Sequence, residues 1–151
     1  MITITRSERS DAKEILDLQK LAYQEEAKIY NDFFLPPLVQ SLADLEDEYG
    51  FRVFLKVVWH RQIIGSVRAH AKDGTCHIGR LIVHPDHQNR GIGKGLMARI
   101  EAEFPGCSRF ELFTGTKSEK NLAFYQKLGY RVFRHDKLND RVELAYLERV
   151  R

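Results

Sequence analysis

The chain has 151 residues, of which 43% are hydrophobic and 30% are charged, and its formal net charge at pH 7 is +3. This length and composition are typical of one globular domain, so we expect residues 1–151 to form a single domain. The small charge does not indicate nucleic-acid binding, and no run of eighteen apolar residues predicts a membrane-spanning helix.

The N-terminus and the cysteines both predict a cytoplasmic protein. The first ten residues, MITITRSERS, lack the apolar core of a secretory signal. Cys76 and Cys107 lie in neither a CxxC nor a Cys/His ligand spacing, so no metal site is expected. We expect reduced thiols, with a disulfide as the alternative.

In the first half of the chain, hydrophobic periodicity predicts a strand, two helices and an antiparallel meander. Asp11 and Glu14 have the spacing of a capping box at the start of the first helix. The segment FFLPP at 33–37 is expected to break any helix, and Asp73-Gly74 is a hairpin signal. The predicted elements are a strand at 2–5, helices at 11–22 and 38–50, and strands at 51–59, 63–71 and 76–83.

In the second half, helices and strands alternate before two closing strands. Ser118 has the side chain of an N-cap, and Gly129 stands where a glycine would end the helix. The predicted elements are helices at 91–104 and 118–129 and strands at 109–114, 130–134 and 142–147. The complete order is therefore β, α, α, three β, α, β, α, β, β.

The segment 81–96, LIVHPDHQNRGIGKGL, combines the end of a strand, a polar loop and a glycine-rich helix start. The first-turn N–H groups of a helix have no partner inside it, and the helix dipole favours an anion there. Arg90 and Lys94 add positive charge. Each interior glycine costs a helix up to about 1 kcal/mol, so the glycines at 91, 93 and 95 indicate a phosphate at close range.

Three phosphate-binding patterns compete for this segment. A P-loop is excluded because glycine, rather than Ser or Thr, follows the Gly-Lys pair at 93–94. A dinucleotide fingerprint fits weakly, since Leu96 occupies its third glycine position, but Glu111 lies where a ribose-binding acid is expected. The spacing Gln-x-x-Gly-x-Gly at 88–93, after the Leu-x-Val-x-Pro run at 81–85, resembles the acyl-CoA site of the GCN5-related N-acetyltransferase (GNAT) superfamily.

The order of elements also resembles the GNAT fold over nearly the whole chain. The resemblance implies an α/β (α+β) protein with the GNAT acyl-CoA N-acyltransferase fold, a mixed central sheet of six to seven strands and about four helices. It also implies acetyl-CoA as co-substrate, without a metal. The pantetheine arm would lie along Leu81–Val83, with the Val83 N–H donating to the thioester carbonyl, and the pyrophosphate would lie on the amides of 89–94. The residues implied for cofactor binding are Leu81, Ile82, Val83, Gln88, Asn89, Arg90, Gly91, Ile92, Gly93, Lys94 and Asn121.

The segment 121–130, NLAFYQKLGY, resembles the last conserved block of GNAT enzymes. In that block the tyrosine corresponding to Tyr125 protonates the sulfur of coenzyme A. A phenol of pKa about 10 protonates a thiolate of pKa about 8.5 only if it is tightly positioned or shifted by its surroundings. The alternative for Tyr125 is a packed helix residue. The commonest family pattern has Asn where this chain has Ser118, so the contact with the CoA arm is assigned to Asn121.

The general base is the least defined part of the predicted site. Some GNAT enzymes carry a glutamate at the strand position that is Phe113 here, and Glu111 lies two residues earlier on the same strand face. Glu111 is therefore the catalytic candidate, and its alternative role is an ion pair with a neighbouring basic residue. His77, His84 and a water molecule are further candidates.

Acidic residues dominate the segment 22–50, which has seven carboxylates against Lys28 alone. In GNAT proteins this region tends to form the acceptor wall, and an acidic wall would attract a cationic amine. The alternative is the solvated face of ordinary helices. We therefore expect a small-molecule or peptide amine with a positive charge as the acceptor.

Taken together, the motifs predict an acetyl-CoA-dependent N-acetyltransferase that acts on a primary amine by direct attack. One alternative is a catalytically silent acyl-CoA-binding or interaction module on the same fold. Another is a nucleotide-binding oxidoreductase, which the weak dinucleotide fingerprint would imply. Tyr125 favours the enzyme, because phenylalanine there would favour the silent module. The acceptor's identity and the oligomeric state, a homodimer included, are left open by the sequence.

Overall fold

The protein is built on one seven-stranded sheet, and the computed structural model describes residues 2–151. The strands are β1 (Thr3–Arg6), β2 (Val53–Trp59), β3 (Gln62–Lys72), β4 (Thr75–Val83), β5 (Arg109–Gly115), β6 (Arg131–Lys137) and β7 (Glu143–Val150). The helices are α1 (Ala12–Ala22), α2 (Gln24–Tyr30), α3 (Pro36–Val39), α4 (Leu42–Glu48), α5 (Ile92–Ala102) and α6 (Glu119–Lys127). The strand order is β1-β2-β3-β4-β5-β7-β6, and β4 and β5 form the parallel pair in an otherwise antiparallel sheet.

The predicted fold class is confirmed, but the N-terminal helices are more numerous than predicted. α2 follows α1 where no helix was expected, and the single helix expected at 38–50 is divided into α3 and α4. Pro36, expected to break a helix, instead begins α3. Proline is tolerated there because a first-turn N–H has no helical partner and because its φ angle suits a helix. Ser41 then caps α4 by accepting from the Asp44 N–H at 3.1 Å.

Helices cover both faces of the sheet, and each face has its own apolar core. The strand β2 shows the alternation: Leu55 is buried in the core that contains Leu96 of α5, whereas Phe54 is buried in the core that contains Ile15 of α1. We call these the α5 face, which α6 also covers, and the α1 face, which α4 also covers. The cofactor and acceptor regions implied by the resemblance therefore fall on opposite faces.

The strands β4 and β5 separate along their length. Their parallel pairing covers Thr75–His77 and Arg109–Glu111, although β4 continues to Val83 and β5 to Gly115. Beyond this pairing, the facing strand edges carry backbone groups that the sheet does not satisfy. This opening, which we call the strand fork, connects the two faces of the sheet.

A bulge in β4 lies at the strand fork. The register against β3 shifts between Gly79 and Ile82, and Arg80 has a φ of 51°, in the left-handed region. The bulge reverses the alternation of side chains, so Ile78 is buried on the α5 face and Ile82 on the α1 face. The bulge thereby changes which side chains of β4 reach the fork.

Candidate active site

A cavity of about 880 Å³ runs through the strand fork, and we call it the main cavity. It is lined from the α5 face by the end of β4, the following loop and the first turns of α5 and α6, and from the α1 face by α2 and the start of α3. This volume suits an organic ligand. The lining includes Tyr23, Glu26, Arg80, Leu81, Ile82, Val83, Gln88, Asn89, Gly91, Ile92, Gly93, Lys94, Asn121, Phe124 and Tyr125.

The loop between β4 and α5 presents unpaired backbone amides to the main cavity. A 3₁₀ turn at Pro85–His87 follows the strand, and Asn89 and Gly91 have φ angles of 62° and 81°. No backbone carbonyl within residues 2–151 accepts from the N–H groups of 89–94, and Gly95 makes the first bond, to Gly91. Unpaired amides at the positive end of a helix are an arrangement that can bind an anion.

The structure favours glycine at positions 91, 93 and 95 for different reasons. Gly91 has a positive φ and open space around it. A Cβ atom at Gly93 would lie 3.3 Å from Phe124 of α6, and one at Gly95 would lie 3.3 Å from Ile4 of β1. Close packing thus gives Gly93 and Gly95 a reason of their own to be glycine, and the predicted room for a ligand rests most directly on Gly91.

Arg90 differs from the other residues predicted in this loop. It is exposed and is not part of the lining of the main cavity. Its guanidinium lies 3.5 Å from the Nδ1 atom of His87, which is itself buried and lines the cavity. The guanidinium of Arg90 therefore acts on a bound anion through long-range charge, whereas its backbone N–H is one of the unpaired amides.

The N–H of Val83 points into the strand fork. Val83 faces Gly65 of β3, and the next residue, His84, donates to the Ile64 carbonyl at 2.7 Å. Hydrogen-bonded and non-hydrogen-bonded pairs alternate along an antiparallel ladder, so the Val83–Gly65 pair is non-hydrogen-bonded. The Val83 N–H is consequently directed away from β3 and is free to donate to a ligand.

Tyr125 lies on α6 and lines the main cavity. Its ring packs against Phe124 and Tyr130, with centroid distances of 5.2 and 6.1 Å. Burial raises the pKa of Tyr125, and Tyr23 and Glu26 act in the same direction. The phenol therefore stays protonated around neutral pH and can donate a proton into the cavity.

Glu26 is held at the opposite wall of the main cavity by residues around the start of α6. The Ser118 hydroxyl donates to one carboxylate oxygen, and the Asn121 amide donates to the other at 3.1 Å. Tyr30 hydrogen-bonds the Ser118 hydroxyl at 2.9 Å. Ser118 therefore does not cap α6 as predicted, because its side chain is engaged by Glu26 and Tyr30. Asn121 contacts a carboxylate at the cavity wall.

The three side chains predicted as general bases lie outside the main cavity. Glu111 accepts from Arg109 at 2.8 Å and lies 3.7 Å from the Nδ1 atom of His77. His84 instead stabilises the 3₁₀ turn by accepting from the Asp86 N–H at 3.1 Å. The structure thus does not bring these residues together with Tyr125.

A smaller cavity of about 310 Å³ adjoins the main cavity on the α1 face. We call it the arginine recess because three arginines line it. Its charged and titratable lining residues are Glu48, Arg52, Arg68, His70, His77, Arg80 and Glu111. Arg80 lines both cavities, so the recess communicates with the strand fork.

A family model described as "Acetyltransferase (GNAT) family" matches residues 13–130. The chain belongs to the GNAT family. The matched region includes the loop with unpaired amides, the strand fork and Tyr125, so the family assignment and the geometry concern the same part of the molecule.

Curated relatives match this GNAT chain over parts of their own lengths. It is 25% identical over 128 residues to "UPF0157 protein YqkA" of Bacillus subtilis, which is 84% of this chain and 36% of YqkA. It is 36% identical over 50 residues to "L-amino acid N-acyltransferase MnaT" of Escherichia coli, which is 32% of this chain and 29% of MnaT. The matches thus span about a third of the length of these relatives.

Solved structures of N-acetyltransferases share the fold over nearly the whole chain. The PaiA N-acetyltransferase of Thermoplasma acidophilum, solved in complex with coenzyme A, has a TM-score of 0.80 at 16% identity, covering 100% of this chain and 99% of its own. The ribosomal-protein-S18-alanine N-acetyltransferase of Escherichia coli has a TM-score of 0.77 at 15% identity, covering 99% and 94%. At these identities the comparison establishes the fold.

The described part of the chain contains neither a membrane-spanning helix nor a metal-binding cluster. From residue 2 to residue 151, no helix is both long and apolar enough to cross a lipid bilayer. Over the same range, no three His, Cys, Asp or Glu side chains converge to hold a metal ion.

Proposed function

We propose that this GNAT protein is an acetyl-CoA-dependent N-acetyltransferase that acts on a primary amine. The main support is the main cavity, in which an anion-binding loop, the Val83 N–H and the Tyr125 side chain border one continuous space. The residues present fit acetyl-CoA: the unpaired amides of 89–94 suit its diphosphate, and the free edge of β4 suits the amide groups of its arm. The coenzyme A complex of the PaiA protein is in keeping with this fit.

Bound acetyl-CoA would supply an activated acetyl group as a thioester. The protein's own contribution begins with the backbone, since the amides of 89–94 hold the diphosphate and Leu81–Val83 holds the arm. The Val83 N–H is fixed by its strand and donates where negative charge develops on the acyl oxygen. This contribution requires no particular side chain at position 83.

Tyr125 holds the proton that the departing sulfur needs. Its raised pKa keeps the phenol protonated, although it also makes the phenol a weaker acid. Because burial would also raise the pKa of the departing thiol, the raised pKa of Tyr125 does not by itself prevent proton transfer to the sulfur. The proposal therefore requires the tyrosine hydroxyl and not merely an aromatic ring.

Glu26 attracts the acceptor's ammonium group and takes part in its deprotonation. Its carboxylate lines the main cavity and is oriented by Ser118 and by Asn121, which lies one turn before Tyr125 on α6. Glu111 is the alternative, although its ion pair with Arg109 and its position outside the main cavity favour Glu26.

The acidic segment contributes less to the acceptor wall than its composition suggests. Glu25 and Glu26 line the main cavity. Asp32 instead accepts from Asn139 at 3.1 Å, and Glu48 forms an ion pair with Arg52 at 2.8 Å. The proposed attraction of a cationic amine to this wall therefore rests on Glu25 and Glu26.

A broad amine screen with acetyl-CoA tests the proposal, with release of coenzyme A as the readout. We expect transfer to at least one primary amine and tight binding of coenzyme A by calorimetry. Tight binding without transfer to any amine would support the silent module instead. Binding of NAD with no affinity for coenzyme A would support the dinucleotide alternative.

A further inference from the structure

The arginine recess contains one guanidinium that has no carboxylate partner. Glu48 is shared by two arginines, since its Oε1 atom lies 2.8 Å from Arg52 and 3.0 Å from Arg68. The second carboxylate of the recess, Glu111, is bound by an arginine of its own strand. Within residues 2–151 no carboxylate lies within ion-pair distance of Arg80, and its Nε atom is buried without a hydrogen-bond partner.

The recess also keeps a positive charge that the protein does not neutralise. Burial lowers the pKa of Arg68 to about 10, and Glu48 opposes this shift while Arg80 adds to it. Arg68 also donates to the neutral amides of Gln19 at 3.1 Å and Gln40 at 3.2 Å, which add no negative charge. An anion bound beside Arg80 would relieve this repulsion.

A second donor faces the same space. His70 lies 2.6 Å from the guanidinium of Arg52 through its Nδ1 atom, and this nitrogen must accept because arginine can only donate. Burial and the charge of Arg52 lower the pKa of His70, so the imidazole is neutral and carries its proton on Nε2. His70 therefore adds a neutral donor to the lining of the recess.

The backbone of Arg80 is strained in a way that serves its side chain. Its φ of 51° is favourable for glycine and unfavourable for arginine. Residues with backbone strain of this kind cluster at active sites and ligand-binding sites. The bulge allows Arg80 to border both the main cavity and the recess.

Glu26 supplies a negative charge in the same cavity as Arg80. Both residues line the main cavity, and both act on Tyr23. Burial raises the pKa of Tyr23 most, Arg80 lowers it and Glu26 raises it. A positive and a negative group therefore both lie near Tyr23 in the lining of the main cavity. This arrangement complements a molecule that carries an ammonium and a carboxylate a short distance apart.

We infer that the acceptor is a small amine that carries a carboxylate, as an amino acid does, and that Arg80 binds this carboxylate at the strand fork. The inference rests on the proposed function, because it names the acceptor of the same site. A carboxylate suits the recess better than a phosphate dianion, since Glu48 and Glu111 also line it and repel a second negative charge. The name of MnaT, an L-amino acid N-acyltransferase, is compatible with this chemistry.

The test compares each L-amino acid with its own α-carboxamide, which keeps the amine and removes the anionic group. With saturating acetyl-CoA, the wild-type protein is expected to prefer at least one amino acid over its amide in kcat/KM, on the order of 30-fold or more. Arg80→Gln should reduce this preference to about threefold or less, mainly by lowering kcat/KM for the amino acid. Arg131→Gln is the matched control, because its side chain is 80% exposed and lines neither cavity.

Arg80→Gly separates binding from folding. Glycine relieves the strain at this φ, so thermal unfolding should show a protein no less stable than the wild type, yet the preference for the carboxylate should again be lost. Equal turnover of acids and amides by the wild type, or an unchanged preference in both Arg80 variants, would overturn the inference and leave the proposed function intact. A preference for O-phosphoethanolamine over every amino acid would overturn the carboxylate assignment.

Calorimetry covers the case in which no amine is acetylated. The amino acids are titrated into the protein in the presence of coenzyme A, which cannot react. Binding that Arg80→Gln abolishes would support the carboxylate site while the proposed transfer fails. Absence of binding by all amino acids would overturn the inference.

Discussion

The two walls of the main cavity are built from different chemical groups, backbone amides in one and side chains in the other. On the α5 face, the wall consists of backbone N–H groups at 89–94 and at Val83, which neither a carbonyl nor a partner strand satisfies. On the α1 face, the wall consists of side chains, with Glu26 fixed by Ser118 and Asn121 and with Arg80 in the same lining. One wall is set by conformation and the other by side-chain identity.

Under the proposed function, this difference would separate the task of holding the acyl donor from that of choosing the acceptor. Backbone donors need glycine and proline at a few positions and tolerate change elsewhere, so such a wall suits a ligand common to a whole family. Side-chain donors and charges change with each substitution, so the second wall can differ in specificity while the first stays constant. Substitutions on the two walls should therefore affect different kinetic constants.

The largest effect is expected at the junction of the two walls. Tyr125→Phe removes the proton donor but keeps the ring, so kcat should fall about 100-fold or more while the Kd of coenzyme A changes less than about threefold. Stopped-flow or steady-state release of coenzyme A measures the first, and calorimetry measures the second. A Tyr125→Phe variant with wild-type kcat would show that another group supplies the proton.

Tyr130→Phe is the matched control for that substitution. Its hydroxyl donates to Glu101 at 2.6 Å and does not border the main cavity, so its loss should lower the free energy of unfolding by about 1–3 kcal/mol with little change in kcat. The pH profile adds a second check. Because burial raises the pKa of Tyr125, the wild-type kcat should not decline through loss of this proton as the pH rises to about 10, the pKa of an unperturbed phenol.

The backbone wall is tested by Gly91→Ala. The φ of 81° at Gly91 costs alanine about 1–2 kcal/mol, so the loop should leave this conformation and bind coenzyme A about 5- to 30-fold more weakly, with kcat at saturation little changed. Gly106→Ala is the control, since it lies in open space outside the cavity lining. Equal affinity in both variants would show that the amides of 89–94 are not the diphosphate site.

The side-chain wall is tested by Glu26→Gln. Loss of the negative charge should raise the KM of the acceptor by about tenfold and leave the Kd of coenzyme A unchanged, because a hydrogen bond to a charged group contributes about 1.5–3 kcal/mol. Glu46→Gln, in the same acidic segment but outside both cavities, should have no effect. An equal effect of the two substitutions would mean that the segment acts through its overall charge.

The smallest effect is expected for Glu111→Gln. The carboxylate is engaged by Arg109 and lies outside the main cavity, so kcat should change less than about threefold at the pH optimum. A larger fall in kcat together with loss of the acidic limb of the pH–rate profile would identify Glu111 as the general base. That result would also show that the acceptor enters through the arginine recess.

The sequence by itself predicted the fold and much of the α5-face wall. The apolar run at 81–83, Pro85 and the glycines after it are local signals, because each residue type restricts its own backbone. Tyr125 was identified by a segment of ten residues. The same local rules misjudged Pro36, because a proline in the first turn of a helix and one that ends a helix look alike in sequence.

The tertiary structure alone decided the α1-face wall. Ser118 and Glu26 are 92 residues apart in sequence, and Asn121 and Glu26 are 95 apart, so no periodicity connects them. The unpaired state of Arg80 depends on how Glu48 and Glu111 are shared among other arginines. Backbone conformation is governed mainly by neighbours in the chain, whereas charge pairing is governed by neighbours in space, and that is why one wall could be predicted from the sequence and the other required the folded molecule.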